Sequence, residues 1–322
     1  MSKRFLVLLG LVLIVAGGVA FAAAGSGPEA LSPQPPAKAV KLIFIHHSTG
    51  EGWLSDSGGR LGVTLKNNNY FVSDTNYGWG PDGIGDNTDT GHWWTWFRGS
   101  SRTTYLNALY DESGINCEYT RLANDPGGEN AIIMFKSCFP NSHIGGKPTD
   151  PAKTGSNPLR GQDCNSSYMK VANVKGIYND LLVYFKTRQD KLFILIAPPP
   201  LIKGGTSSAY AANARAVHNW LVKDWLKNYK YKNVKVFDFY NVLTSNGGNI
   251  NKNDVGKATG NHHRIWKGAI QHIQTVANNY SSYGMDEWDS HPTAAGGKKA
   301  SAEFVSLLNV WYNAWKSSLK GR

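Results

Sequence analysis

The sequence predicts an α/β fold, a three-layer α/β/α sandwich around about five parallel strands. Three observations carry this expectation: five short runs that are apolar on both faces, amphipathic segments between them, and reactive side chains just past the end of each run. The runs are VKLIFIH (40–46), YFVSD (70–74), AIIMFK (131–136), LFILIA (192–197) and VKVFDF (234–239). Their shortness and their Val, Ile and Phe content suit strands buried on both sides.

Helical patterns lie between and after them. In SAYAANARAVHNWLVKDWLKNY, Tyr210, Ala214, Val217, Leu221 and Trp225 recur at three- and four-residue steps and make one apolar stripe. The last segment repeats this with Phe304, Leu308, Trp311 and Trp315 after the small, polar PTAAGG. MKVANVKGIYNDLLVYFKTR and HRIWKGAIQHIQTVANN are expected to be helical too. Strands alternating with helices imply right-handed crossovers, and such sheets bind ligands at the carboxyl ends of their strands.

Residues 1–24 combine Lys3 and Arg4, an apolar stretch and small residues around Ala22 and Ala24, the pattern of a secretory signal peptide. No cysteine follows that stretch to accept a lipid, so a secreted or periplasmic chain without a stable membrane anchor after cleavage is expected. Residues 25–39, rich in Pro, Ala, Gly and Ser, read as a linker. Residues 40–322 then form one domain, expected as a monomer.

The net charge of +11 includes Lys3 and Arg4, and the other basic residues are scattered without a block. Nucleic acid is therefore not an expected partner; if the charge has one, an acidic polysaccharide suits an exported chain better. Cys117, Cys138 and Cys164 lack the spacing of a zinc ribbon. One disulfide and one free thiol are expected, with Cys138 to Cys164, which flank one long loop, as the pair. Trp53, Trp79, Trp93, Trp94 and Trp96 crowd one part of the chain, where packing and exposed stacking on sugar rings compete.

The strand ends carry the chemistry. HHSTG follows the first run, TNYGWG the second, SCFPNSH the third and PPP the fourth, and WDSHPT precedes the last helix. A serine hydroxyl becomes a nucleophile when a histidine takes its proton and a carboxylate orients that histidine. Ser48 follows the first strand at a helix start, where it could equally serve as a cap. His291, in DSHPTAAG with Asp289 two residues before it, tips the choice toward a nucleophile.

In this arrangement the chain resembles the SGNH or GDSL-type hydrolases, flavodoxin-like α/β/α sandwiches that cleave mainly esters. IFIHHSTG matches the block that carries their serine, with His46 and His47 where Gly and Asp are usual. The resemblance implies Ser48 as nucleophile and His291 as base, with Asp289 as the acid; Trp288 stands at the position where the acid is usual. It also implies an oxyanion hole from the Ser48 N–H, a glycine of the TNYGWG turn (Gly78 or Gly80) and the Asn141 side chain. With export, the clustered tryptophans and the long segment from Pro140 to Asn165, this points to a carbohydrate esterase that uses no cofactor and acts on an acylated polysaccharide or another extended ester, with His47, Trp53, Tyr77, Trp79 and Trp94 lining the substrate.

Other readings stay open. His46 and His47 could bind a metal completed by a distant carboxylate or His143, but neighbouring strand residues point to opposite faces and would not share one ion. Asp82, Asp86 and Asp89 lack the order of a calcium loop and read as a turn-rich surface, with a calcium ion the lesser alternative. His262 and His263 read as a hydrated helix start, and His92 as a loop residue. A non-catalytic glycan-binding protein on the same fold, or a glycan-cleaving enzyme of another bond class, would share most of these features.

Overall fold

The structure, a computed structural model, describes residues 31–244, 263–266, 269–272 and 278–320. The signal-peptide segment, residues 25–30 of the linker and His262 lie outside them. Residues 31–39 form neither helix nor strand. They lie along the last helix, where Asn309 and Asn313 side chains donate to the carbonyls of Pro33 and Ser32 at 2.9 and 3.0 Å.

The five strands are β1 (Val40–Ile45), β2 (Tyr70–Thr75), β3 (Ile132–Lys136), β4 (Leu192–Ile196) and β5 (Val234–Phe237). They pair in the order β2-β1-β3-β4-β5, all parallel, which is the flavodoxin-like sandwich the sequence predicts. Ile45 is in register with Thr75 on one side and Phe135 on the other, so the residues after these strands meet at one edge.

Side chains alternate across the sheet and build two cores. Ile43, Ile45, Ile133, Phe135, Phe193 and Leu195 face α3 (His92–Arg98), α4 (Arg102–Asp111), α5 (Val171–Phe185) and α6 (Ser208–Lys223). Leu42, Phe44, Ile132, Met134, Ile194 and Ile196 face α1 (Thr49–Leu54), α2 (Leu61–Lys66), α7 (Phe239–Thr244) and α8 (Ala294–Lys320). Within α6 the stripe of Ala214, Val217 and Leu221 is buried, whereas Tyr210, in the first turn, is exposed. Phe304, Leu308, Trp311 and Trp315 all bury against the second face, as their spacing predicts. No helix among the described residues is long and apolar enough to cross a membrane.

One expected helix is a hairpin instead. Residues His263–Trp266 (β6) and Ala269–His272 (β7) pair antiparallel. Ile265, Trp266 and Ile270 favour strand at least as much as helix, and Gly268 weakens the helical pattern. His263 is correspondingly not a hydrated helix start: it is buried, stacks on Phe237 and accepts the Asp238 N–H at 3.2 Å.

Candidate active site

The chain leaves β1 through His46 and His47 and turns at Ser48 with φ 37° and ψ −86°. A non-glycine residue at positive φ costs on the order of 1–3 kcal/mol and persists only where its surroundings impose it. The turn is tight enough that a Cβ at Gly50 would overlap the His46 side chain, which accounts for glycine two residues after the serine. Ser48 does not cap α1, because its side chain makes no bond to the helix N–H groups. Its hydroxyl is hydrogen-bonded to His291 Nε2 instead.

His291 sits on the segment before α8, pinned by Met285 N–H to its carbonyl at 2.9 Å and by Thr293 N–H to Tyr283 O at 2.7 Å. Asp289 Oδ1 accepts both the His291 N–H at 2.8 Å and the ring Nδ1–H at 2.6 Å. The backbone bond, then the ring bond and the ring's charge, hold the Asp289 carboxyl below the usual carboxylate range. Nδ1 is thereby fixed as donor and Nε2 as acceptor for the serine proton. Phe139 packs edge-on against the ring at 4.9 Å. Ser48, His291 and Asp289 thus come together from opposite ends of the chain, while Trp288, where the resemblance would put the acid, points into solvent.

Two of the expected oxyanion donors, the Gly78 N–H and the Asn141 amide, are engaged elsewhere. Gly78 donates its N–H to Asp86 Oδ1 at 2.8 Å. Gly80 accepts from Gly83 N–H at 3.2 Å and leads into a 3-10 helix, Pro81–Asp86. Asn141 gives its side-chain amide to Asp89 Oδ1 at 2.6 Å and to Cys138 O at 3.3 Å, and its oxygen accepts the Thr90 N–H. Carboxylates are stronger acceptors than neutral groups, so Asp86 and Asp89 capture these amides. This also places the acidic loop: Asp82 accepts from the Tyr105 hydroxyl, and the three carboxylates do not gather around a common point for calcium among the described residues.

What faces Ser48 is a set the sequence reading missed. Cys138 Sγ lies 3.8 Å from Ser48 Oγ and 3.5 Å from the Thr49 hydroxyl, and the Thr49 N–H also points at this sulfur. Behind them Lys136, fully buried at the end of β3, donates to Thr49 Oγ1 and to Ser137 O. Burial opposes ionisation of the Cys138 thiol, but Lys136 and the two Thr49 bonds outweigh it and hold the thiol below its ordinary value. Burial lowers Lys136 as well. The available signal is a lysine ending a run that is otherwise apolar on both faces.

The two histidines diverge, as their adjacency requires. His47 donates Nε2–H to Gly85 O at 2.5 Å and accepts the Thr88 hydroxyl on Nδ1 at 3.0 Å; burial keeps its pKa below the ordinary value. Its outer face is covered by Tyr77, 63% exposed and stacked at 3.9 Å, so Tyr77 rather than His47 meets solvent. His46 is fully buried beside Asp74 and Cys117. His143 is far from both in its contacts, bonded to Thr206 and edge-on to Tyr210, and His92 accepts the Asp89 N–H.

The tryptophans are mainly core. Trp53 is buried against Phe239 at 4.7 Å and Phe237 at 5.9 Å, with its indole N–H on Ser301, so it does not line a substrate site. Trp79 stacks on Trp96 and donates to Glu112, and Trp94 is half-buried with Arg160 over its ring at 5.6 Å. Burial of such large apolar rings outweighs their availability to solvent. The exposed large side chains are instead Met285, which lines the same cleft as Ser48, Tyr77, which stacks on His47, and Trp288, next in sequence to Asp289. All three cysteines are free, and the expected Cys138 to Cys164 disulfide is not formed: Cys138 turns toward Ser48 and Thr49 rather than into the loop.

Ser48, Thr49 and His291 open into a cleft of about 580 Å³ walled by Glu51, Asp56, Glu118, Ser55, Ser57 and Met285. The Thr120 hydroxyl and N–H hold Asp56 below the usual carboxylate range. Three carboxylates on the walls repel a polyanion, which runs against the acidic-polysaccharide expectation drawn from net charge. The chain matches no protein-family model, and no curated protein shows significant similarity to it.

Proposed function

We propose that the chain is a secreted or periplasmic serine hydrolase of SGNH type that removes acyl groups from a neutral, hydroxyl-rich polymer such as an acetylated polysaccharide. The carrying observation is the relay from Ser48 Oγ to His291 Nε2 and from His291 Nδ1 to Asp289, on a strained turn at the carboxyl edge of a parallel sheet. The polar cleft with its three carboxylates favours uncharged sugar over uronic acids.

In this reading Ser48 Oγ adds to the ester carbonyl carbon as its proton passes to His291 Nε2. Asp289 keeps Nδ1 protonated and stabilises the imidazolium. The developing oxyanion draws on the Ser48 N–H, and on the Thr49 N–H once it turns from the Cys138 sulfur to the substrate. The C–O bond then breaks, His291 returns the proton to the leaving alcohol, and water hydrolyses the acyl-serine with His291 again as base. These steps use no cofactor.

A panel of aryl acetates, butyrates and acetylated polysaccharides tests the proposal on wild type, Ser48→Ala and His291→Ala. Acetate release by wild type that falls by about 10³-fold or more in both variants is expected. Wild type as inactive as Ser48→Ala on every ester would sink it. The engaged amides of Gly78 and Asn141 favour a second reading, a glycan-binding protein without turnover, whose signature is retardation in a glycan gel by wild type and Ser48→Ala alike.

A further inference from the structure

The end of β1 carries a second constellation that ester hydrolysis does not use. His46 Nε2 lies 3.1 Å from Asp74 Oδ2 and 3.9 Å from Cys117 Sγ, and the three atoms lie within 4.8 Å of one another. Both partners face the same ring nitrogen. A proton relay needs them on opposite nitrogens, as Ser48 and Asp289 are on His291, so this is not a second triad. An imidazole nitrogen, a carboxylate oxygen and a sulfur converging on one point are a cation's donor set.

The surroundings orient these donors. Asp74 is fully buried, and His46 is its one ion-pair partner among the described residues. Asp74 Oδ1 is held by the Asn116 N–H at 2.7 Å and the Tyr119 hydroxyl at 2.9 Å, which turns Oδ2 toward His46. Such outer bonds aim a ligating carboxylate. On the other side of the ring, His46 Nδ1 is buried without a hydrogen-bond partner among the described residues. Without an ion the Asp74 carboxylate keeps the proton on Nε2, so an ion binds there only by displacing it, and no partner at Nδ1 holds the ring against that change.

We propose that His46 Nε2, Asp74 Oδ2 and Cys117 Sγ form a binding site for a divalent cation of borderline softness, best matched by Zn²⁺. Metal bonds of about 2.0–2.3 Å in a tetrahedron set ligand atoms roughly 3.3–3.7 Å apart, close to the separations around His46. Cys117 releases its proton on binding, and the thiolate and the Asp74 carboxylate then balance the ion's two charges, so the buried set is neutral overall. Water takes the fourth position. Cys117 lies on the irregular chain between α4 and β3, next to Glu118 of the cleft wall, so the ion fastens that wall to β1 and β2 beneath the nucleophile turn.

The test is a Co²⁺ titration of the purified full-length chain after treatment with EDTA and its removal, with Zn²⁺ as competitor. One equivalent of cobalt with a thiolate-to-metal charge-transfer band, displaced by zinc, is expected. Cys117→Ser abolishes the band and weakens cobalt binding by roughly 100-fold or more, Tyr119→Phe weakens it by roughly 10-fold, and Cys138→Ser and Cys164→Ser retain it. Because His46 is deep in the core, Cys117→Ser carries the test, with far-UV circular dichroism to confirm its fold. No charge-transfer band in wild type, or a band that survives in folded Cys117→Ser, overturns the site. The readout is metal binding and stands apart from esterase activity, so either proposal can fail without the other. Zinc should also raise the melting midpoint of wild type and not of Cys117→Ser; an unmoved wild-type midpoint overturns the fastening role.

Discussion

Two regions at the carboxyl edge of the same sheet are built from His–Asp pairs, and they differ in what else the histidine touches. At the cleft, His291 and Asp289 are 2.6 Å apart with side chains 34% and 36% exposed, and the second ring nitrogen meets Ser48. Past β5, His272 and Asp238 are 2.8 Å apart and far more enclosed, and His272 Nδ1 has no partner among the described residues. Asp238 also accepts the Asn241 N–H at 3.0 Å and donates its own N–H to His263. The first pair uses both faces of the ring and keeps one toward solvent; the second is an internal tie. A His–Asp pair is therefore no sign of catalysis until the far nitrogen is accounted for.

Substitutions can break this contrast. Ser48→Ala should cost about 10³-fold or more in ester turnover while leaving the fold intact, since it removes the nucleophile from a relay otherwise in place. Turnover by Ser48→Ala within tenfold of wild type would put the cleft pair in the same structural class as the buried one. Asp289→Asn should lower kcat by about 10²- to 10⁴-fold through loss of the imidazolium's partner, with little change in melting midpoint because the pair is open to water. Asp238→Asn should do the reverse. Removing one member of a buried charged set costs about 3–5 kcal/mol, read as a lowered denaturation midpoint, while kcat of the remaining folded protein stays near wild type. If Asp238→Asn lowers kcat as steeply as Asp289→Asn, the two regions are not functionally distinct.

Acid should separate the regions more finely. His218, fully buried on α6 with its ring tilted against Tyr240 at 4.3 Å, is pushed down to about 4 by burial, against the attraction of Asp238. Between about 6.5 and about 4 the unfolded chain binds a proton that the folded chain refuses. Stability is therefore fully present above this window and falls as pH is lowered through it, by roughly 3 kcal/mol at its lower end. Burial opposes the charge on Asp238, but His272 and the neighbouring rings hold its carboxyl far below the usual range, so its contribution is lost in turn at still lower pH. Denaturation midpoints measured from pH 7 to pH 4 should decline in wild type and flatten in His218→Gln. A flat wild-type profile would show that the cluster tolerates protonation.

Much of this was legible before any fold was known, and the limits have physical causes. The strands declare themselves because runs such as LIFI (42–45) are apolar at every position, which only burial on both faces explains. Ser48, His291 and Asp289 declare themselves because parallel strands deliver their ends to one edge. The Gly78 and Asn141 amides mislead because their fate depends on Asp86 and Asp89, whose proximity no local pattern encodes. Trp53 misleads because a tryptophan five residues after the serine reads as cleft lining, whereas its position on α1 turns it onto Phe237 and Phe239. Residues 263–272 mislead because their apolar residues can be read as a helix, whereas Ile265 and Ile270 are β-branched cross-strand partners that favour strand. His46 and His47 turn to different partners, and His46 lies beside Asp74 and Cys117, which come from separate parts of the chain.

The smallest effect concerns the rim, where the cleft either does or does not read an extended polymer. Trp288 is 85% exposed and adjoins Asp289, and Tyr77 covers His47. If these rings stack on sugars, each contributes about 0.5–1.5 kcal/mol to binding, which is a rise of roughly two- to tenfold in KM on its removal. Trp288→Ala should show that rise on an acetylated polysaccharide and none on a small aryl acetate, with kcat unchanged on both. Its stability should stay within about 0.5 kcal/mol of wild type, because so exposed a side chain packs against little. Equal KM values for wild type and Trp288→Ala on the polymer would remove this rim from recognition and leave specificity to the carboxylate-walled cleft, where Glu51, Asp56 and Glu118 discriminate by charge alone.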